Sequence, residues 1–360
     1  MRYLLRGADV EAEAALTDDA IELRPKQGQP LVVPYRDIDA AASAEYRIRL
    51  TLFPPGMLEL YYLGPRFEGF CEEFFEKRNA ALVRELFLAD RTRIATFKGR
   101  FAREGSPPMD GRIDLFPRTI VFFPKAADPF FLRVAEIQGV RPDRENDLVE
   151  IRANETVTAS YLGLRFEEFQ ERLMRTRSAM ERRCARMLDA LVPGAGVLAP
   201  RLLDGNVMQE TCAAKFREPI EALVCRTAER DAAFRHLRSL AKRPLWLGIQ
   251  ETGGGDLDDV EGPLPPLEAH RIWYYVPLGG VVAQEIVSEE DHATYFYRAE
   301  IPEINRMWAL LQFRKDVILD PGKYPAAVRK LPHLREVTEA FAGRAVHDRS
   351  WEKRVAGFVS

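Results

Sequence analysis

The stretch Tyr62-Leu63-Gly64-Pro65-Arg66-Phe67-Glu68-Gly69-Phe70 returns 99 residues later as Tyr161-Leu162-Gly163-Leu164-Arg165-Phe166-Glu167-Glu168-Phe169. Working upstream at that offset, Ile38 meets Ile137, Pro30 meets Pro129 and Pro25-Lys26 meets Pro124-Lys125. Further back Ile21 meets Ile120 and Leu16 meets Leu115. Without a gap, Leu16 to Glu72 gives 14 identities in 57 positions. Self-similarity at a fixed spacing marks a duplicated structural unit. The first half of this 360-residue chain therefore reads as two copies of one domain.

Within each copy the hydrophobic period changes once. Alternating apolar residues mark short half-buried strands at 10–16, 20–24, 30–35, 47–53 and 58–62. Gly28, Pro54-Pro55-Gly56 and Leu63-Gly64-Pro65 supply turns. The period then lengthens to that of a helix. Phe67, Phe70, Cys71, Phe74, Leu82 and Leu86 form one stripe, ending near Asp90. Phe166, Phe169, Leu173, Met180, Cys184, Met187 and Leu191 form its counterpart.

Several short antiparallel strands closed by one C-terminal amphipathic helix resemble the pleckstrin-homology (PH) superfold. Pro34-Tyr35-Arg36-Asp37-Ile38 resembles the proline–aromatic–x–acidic–isoleucine turn of bacterial and GRAM-type members, and the second copy keeps Glu136-Ile137 of it. The resemblance spans residues 1–192. It implies an α+β fold with two tandem PH-like β-barrel or sandwich domains, 1–90 and 91–193, each closed by a C-terminal helix. Members that bind phosphoinositides cluster Lys and Arg on the first two strands and their loop. Here the corresponding residues are Arg24, Lys26 and Arg36, then Lys125 and Arg133, and Lys125 is followed by Ala126-Ala127-Asp128. That is a poor phosphate cradle, so membrane lipid is not an expected partner. PH-like sheets do present an open edge, and a groove beside the helix, where an extended segment can add as a strand.

Bulk composition narrows the classes further. With 46% hydrophobic and 30% charged residues the chain has the balance of a globular protein. A net charge of -3 supplies no general field toward nucleic acid or anionic membrane. No apolar run has the length of a signal peptide or membrane span. The four cysteines show no CxxC spacing, and Cys71 and Cys184 fall on apolar helical positions, so a reducing cytoplasm is the expected location.

Arg172, Arg175, Arg182 and Arg186 follow helical spacing in the second copy, with Arg177 and Arg183 beside them. They form either a surface for an acidic partner or a solvated face supported by pairs such as Glu168–Arg172 and Glu171–Arg175. No aromatics interleave them, which removes the stacking signal for single-stranded nucleic acid. Arg66 and Arg165 open each helix, where a cation opposes the dipole, and each calls for a carboxylate partner.

Pro193-Gly194-Ala195-Gly196 ends the second helix. Residues 194–243 read as a helical connector and 244–360 as a C-terminal α+β domain. Its strands are expected at 245–249, 271–276, 281–287 and 293–298, followed by a helix with Ile304, Met307, Trp308, Leu311 and Phe313. Tyr295-Phe296-Tyr297 before that helix echoes Tyr61-Tyr62, so this is either a diverged third copy or a distinct domain. The acidic run from Glu251 to Glu261 lacks the ligand order of a calcium loop and reads as a surface loop that can dock a basic partner. No two of His236, His270, His292, His333 and His347 stand at metal-ligand spacing, so no metal site is assigned. Nucleophile-elbow, phosphate-loop and H-E-x-x-H patterns are absent from the sequence. Glu290, Asp291, His292, Arg298 and His347 are the candidate polar site if the chain is an enzyme. Trp351 either packs the tail onto the body or anchors a partner.

Together these readings point to a non-enzymatic cytoplasmic scaffold or adaptor without a cofactor. It would bind a protein or peptide through its tandem PH-like domains, with Arg172, Arg175, Arg182, Arg186 and Trp351 as contact residues. The alternative is an enzyme or ligand-binding protein with its site in the C-terminal domain.

Overall fold

A computed structural model describes residues 1–52, 56–85, 93–251, 270–287, 293–310 and 339–359. The chain is mixed α+β, built on three antiparallel sheets, none of them closed into a barrel. The described chain divides into two compact units, Met1–Met174 and Arg175 onward.

The first unit holds copy one and, of copy two, the sheet and the start of its helix. Copy one contains β1 (Arg2–Leu5), β2 (Ala8–Leu16), β3 (Ala20–Pro25), β4 (Leu31–Pro34), β5 (Ile38–Ala44), β6 (Arg47–Leu52), β7 (Gly56–Tyr61) and helix α1 (Phe67–Glu85). Copy two contains β8 (Ala95–Arg103), β9 (Met109–Leu115), β10 (Thr119–Pro124), β11 (Phe130–Arg133), β12 (Gly139–Asp143), β13 (Leu148–Arg152), β14 (Thr156–Ser160) and helix α2 (Phe166–Leu191). Strand order is β4-β3-β2-β1-β7-β6-β5 in one sheet and β11-β10-β9-β8-β14-β13-β12 in the other, the same order twice. The first strand of each copy pairs on both sides, with the second and the seventh. In copy one the edges are therefore β4 and β5, consecutive strands separated only by the short turn Tyr35–Asp37.

Two strands in copy one escape the alternation rule. Arg2–Leu5 is too short to alternate, and the Arg6-Gly7 turn, with both φ positive, folds it back on β2. Ile38–Ala44 reads Ile-Asp-Ala-Ala-Ala-Ser-Ala, a composition of low strand preference. Its pairing with β6, through an irregularity between Ile38 and Ala40, makes it a strand. The ungapped offset also needs correction. Ile48 pairs with Leu60, and Val149 with the equivalent Ala159, so β6 and β13 match at 101 while their neighbours match at 99. A two-residue slip keeps every side chain on its face, which is why the apolar pattern survives it.

Each sheet buries one face under its helix. In copy one Leu23, Ile48, Leu50, Leu58 and Leu60 meet Phe74 and Phe75 of α1. Fully burying one such side chain stabilises by about 1.5–3 kcal/mol. Copy two is more aromatic: Phe122 stacks on Phe130 at 4.6 Å between centroids, and Phe101 meets both edge-on. Gly111 makes room for that cluster, since a Cβ there would run into Phe101 and the Phe123 carbonyl.

The second unit begins inside α2, not at the Pro193 break. Met180, Cys184 and Met187 are buried, and the Cys184 thiol lies 4.0 and 3.9 Å from the carbonyl oxygens of Ala199 and Leu202. Then come α3 (Ala199–Leu202), β15 (Val207–Gln209), α4 (Arg217–Val224), α5 (Ala228–Leu240), β16 (Trp246–Glu251), β17 (His270–Pro277), β18 (Val282–Val287), β19 (Ala293–Tyr297), α6 (Ile301–Leu310), β20 (Phe341–Val346) and α7 (Trp351–Val359). Its sheet is a plain meander, β15 through β20 in chain order. That order departs from the copies, so the echo at Tyr295-Phe296-Tyr297 is one of alternation and not of topology. No described helix is long and apolar enough to cross a membrane.

Candidate functional site

The open edge β5 is already engaged. Ala126-Ala127-Asp128, the turn between β10 and β11, runs antiparallel to it, with Ala42 bridging Ala127. The Ser43 amide donates to the Ala126 carbonyl at 3.1 Å, and the Ala41 amide donates to Asp128 Oδ2 at 2.9 Å. Arg78 of α1, its side chain 2% exposed, donates to the Asp128 carboxylate and to the Ile38 carbonyl at 3.2 Å. The edge thus meets this turn through two main-chain donors and a buried cation from the helix. Burial pushes the Asp128 carboxyl above its ordinary range, while Arg78 and the Ala41 amide pull it down.

The second unit contains a buried polar cluster. Glu285 of β18 accepts from the Thr294 hydroxyl of β19 and from His347 Nε2 at 2.9 Å. Trp351 Nε1 donates to Thr294 Oγ1 at 2.8 Å, and the His347 ring stacks on Trp351 at 4.8 Å. His236 of α5 lies on Trp351 as well, at 5.2 Å. A carboxylate orienting an imidazole is the geometry of acid–base work. Here, however, Thr294 is fully buried and the His347 and Glu285 side chains are 12% and 10% exposed. The cluster ties α7 to the sheet. Just before that helix, Arg354 and the Ser350 amide hold the Asp348 carboxyl down at about 2.

On the opposite face Asn305 Oδ1 accepts from Trp273 Nε1 at 3.1 Å and from the Tyr275 hydroxyl at 3.2 Å. A cavity elsewhere in this unit is lined by Leu188, Leu198, Leu223, Ile249 and Ile272 among other apolar side chains. It offers no polar group to orient a ligand.

Of the sequence candidates, His347 lies in the Glu285 cluster, while Arg298 is exposed at the far end of the β19–β20 ladder. Glu290, Asp291 and His292 lie outside the described residues, as does the acidic run after Glu251. Trp351 takes the packing alternative: it is buried, and its indole N–H is used by Thr294. On α2, Arg175 and Arg182 are exposed and Arg186 is half-buried. Arg172 is tied to Glu168 at 2.7 Å and to the Ile94 carbonyl. Arg183 turns inward, pairing twice with Glu251 at 2.8 and 2.5 Å. Arg165 has its expected carboxylate in Glu168, where copy one has Gly69. Basic residues at the phosphate-binding positions of the PH resemblance are paired as well: Arg24 with Glu22, Lys26 with Glu11 and Arg133 with Glu136. Arg78, Asp128, Glu285 and Thr294 carry no motif that marks them in the sequence. Each pairs with a residue remote along the chain, and only the 99-residue equivalence of Arg78 to Arg177 gives any signal.

No family model and no curated protein matches the chain. Among solved structures, a chain described as the C-terminal domain of an unknown protein from Leishmania infantum aligns at 18% identity and a TM-score of 0.24. The alignment covers 28% of this chain and 97% of that one.

Proposed function

We propose that the chain is a non-enzymatic cytoplasmic adaptor. Its first half is a tandem pair of PH-like domains that recruit a protein or peptide by adding an extended segment to a sheet edge. The observation that carries this reading is the engaged edge of β5. It receives an extended segment through two main-chain donors and a buried arginine, the kind of contact by which strand addition gains affinity. The twofold use of one open sheet supports it too, because unpaired edges are templates for another chain.

The enzymatic alternative rests on one observation, the Glu285–His347 pair. Its enclosure favours a structural role. In-cell crosslinking from photoreactive residues placed at Val32 on β4, Ala44 on β5 and Arg141 on β12 tests the adaptor reading. One recurrent polypeptide captured from at least one edge is the expected result. A chain that captures no polypeptide from any edge, while its purified form turns over a metabolite and the His347→Gln variant does not, would overturn it.

A further inference from the structure

We infer that β5 and α1 of copy one form a docking groove for an extended partner segment bearing an Asp or Glu, and that Ala126-Ala127-Asp128 is its resident occupant. The inference rests on the adaptor reading and specifies its surface and partner chemistry. Arg78 is the deciding residue. A guanidinium with 2% of its side chain exposed requires an anion beside it, so the groove is exchanged between occupants and not simply opened. Any displacing segment must bring a carboxylate of its own.

The register sets the rest of the recognition. The carboxylate stands opposite Ala41, and the main-chain carbonyl two residues before it accepts from Ser43. Between them a small residue faces Ala42, as Ala127 does. Only one copy can act as acceptor this way. Pro142 occupies the position equivalent to Ser43 and has no N–H to donate. Gln29 occupies the position equivalent to Asp128, so copy one carries no matching donor segment. The Asp128 side chain stays one-third exposed while Arg78 beneath it is 2% exposed, so the carboxylate is the side of the pair that solvent and a competing segment can reach.

A fluorescent peptide copying residues 123–131 is the probe, read by anisotropy against the full chain. Asp128→Asn should weaken the resident segment and raise the peptide's affinity at least tenfold over the wild type. Replacing the Asp in the peptide by Asn should remove that gain, and adding Ser43→Pro to the D128N chain should abolish binding. Circular dichroism on both variants separates a binding defect from a folding defect. Equal binding with and without Ser43→Pro, or none to a folded D128N chain, would overturn the groove. A wild-type dimer dissolved by the peptide would overturn the partner reading in favour of a second copy of this chain as occupant. If the peptide fails but a polypeptide is still crosslinked from Val32, the groove falls and the adaptor reading stands.

Discussion

The two copies share strand order, turn and helix, yet they differ at the outer edges of their sheets. Copy one offers Ser43 and Ala41 as donors on β5, backed by Arg78. Copy two has Pro142 on the equivalent edge, and its equivalent arginine, Arg177, pairs along α2 with Glu181 at 3.2 Å. Copy two in turn supplies Asp128 where copy one has Gln29. Had both copies kept donor and acceptor, the contact could repeat without closing and run into open filaments. On the proposed docking, splitting the roles makes the contact one-way and finite. The copies share an architecture and differ at a few edge positions.

The arginines give the largest test of that contrast. Arg78→Ala leaves Asp128 and the Ile38 carbonyl without their cation. With the Asp128 side chain one-third exposed, breaking the pair from one side costs about 3 kcal/mol, the lower end for buried pairs. Arg177→Ala removes a half-exposed helical pair worth about 0.3–0.5 kcal/mol. Urea denaturation should therefore separate two substitutions at equivalent positions by several kcal/mol. Similar destabilisation by both would mean that the cation's burial does not distinguish the copies.

Core packing gives the next. Gly111→Ala should cost about 1–3 kcal/mol by driving a Cβ into the Phe123 carbonyl and the Phe101 ring of copy two. The reverse change in copy one, Ala12→Gly, should cost about 0.5–1 kcal/mol, a backbone-entropy effect. Thermal unfolding of both variants checks whether the Phe123 carbonyl and the Phe101 ring are what exclude a Cβ.

The helix starts differ in charge. Arg165 and Arg172 hold the Glu168 carboxyl down at about 2. Its folded pKa lies below the unfolded value, so its contribution is present above about pH 4.5 and fades as pH falls toward 2. Carboxylate NMR should place its midpoint at about 2. Gly69→Glu in copy one sets a carboxylate beside Arg66 but also near Glu73, so its midpoint should stay closer to the ordinary value. Equal midpoints would erase the difference.

How much of this the sequence carries depends on the range of the interaction. The repeat, most strands and both helix stripes are local patterns, and they locate the elements to within a few residues. β5 is illegible because alanine has no strand signature and pairing alone makes it one. Along the chain Asp128 only dilutes a basic loop, yet in space it anchors that loop to α1, 50 residues away in sequence. His347 stands out by its chemistry, but its partners Glu285 and Thr294 come from strands 62 and 53 residues earlier. The Tyr-Leu-Gly-x-Arg-Phe corner is legible as a turn, but its strain is not.

Both copies keep that strain. Tyr62 and Tyr161 hold φ at 54° and 56°, and both side chains are largely exposed. A left-handed conformation costs a bulky L-residue about 1–2 kcal/mol, and Asn or Gly takes it more readily. The local compensations are modest: Tyr61 lies 5.1 Å from Tyr62 between ring centroids, and the Arg100 guanidinium 5.1 Å from the Tyr161 ring. Exposed cation–ring interactions of the latter kind contribute about 0.5–1 kcal/mol. Tyr62→Asn and Tyr161→Asn should therefore each raise stability by about 0.5 kcal/mol, because relieving the strain outweighs giving up the ring interaction. Denaturation midpoints of the two single variants measure it. A fall in either copy would show that the ring interactions outweigh the strain there and explain the tyrosine by stability alone. A rise in both places the reason for tyrosine outside the fold's own stability, as expected of exposed aromatics kept for binding a partner.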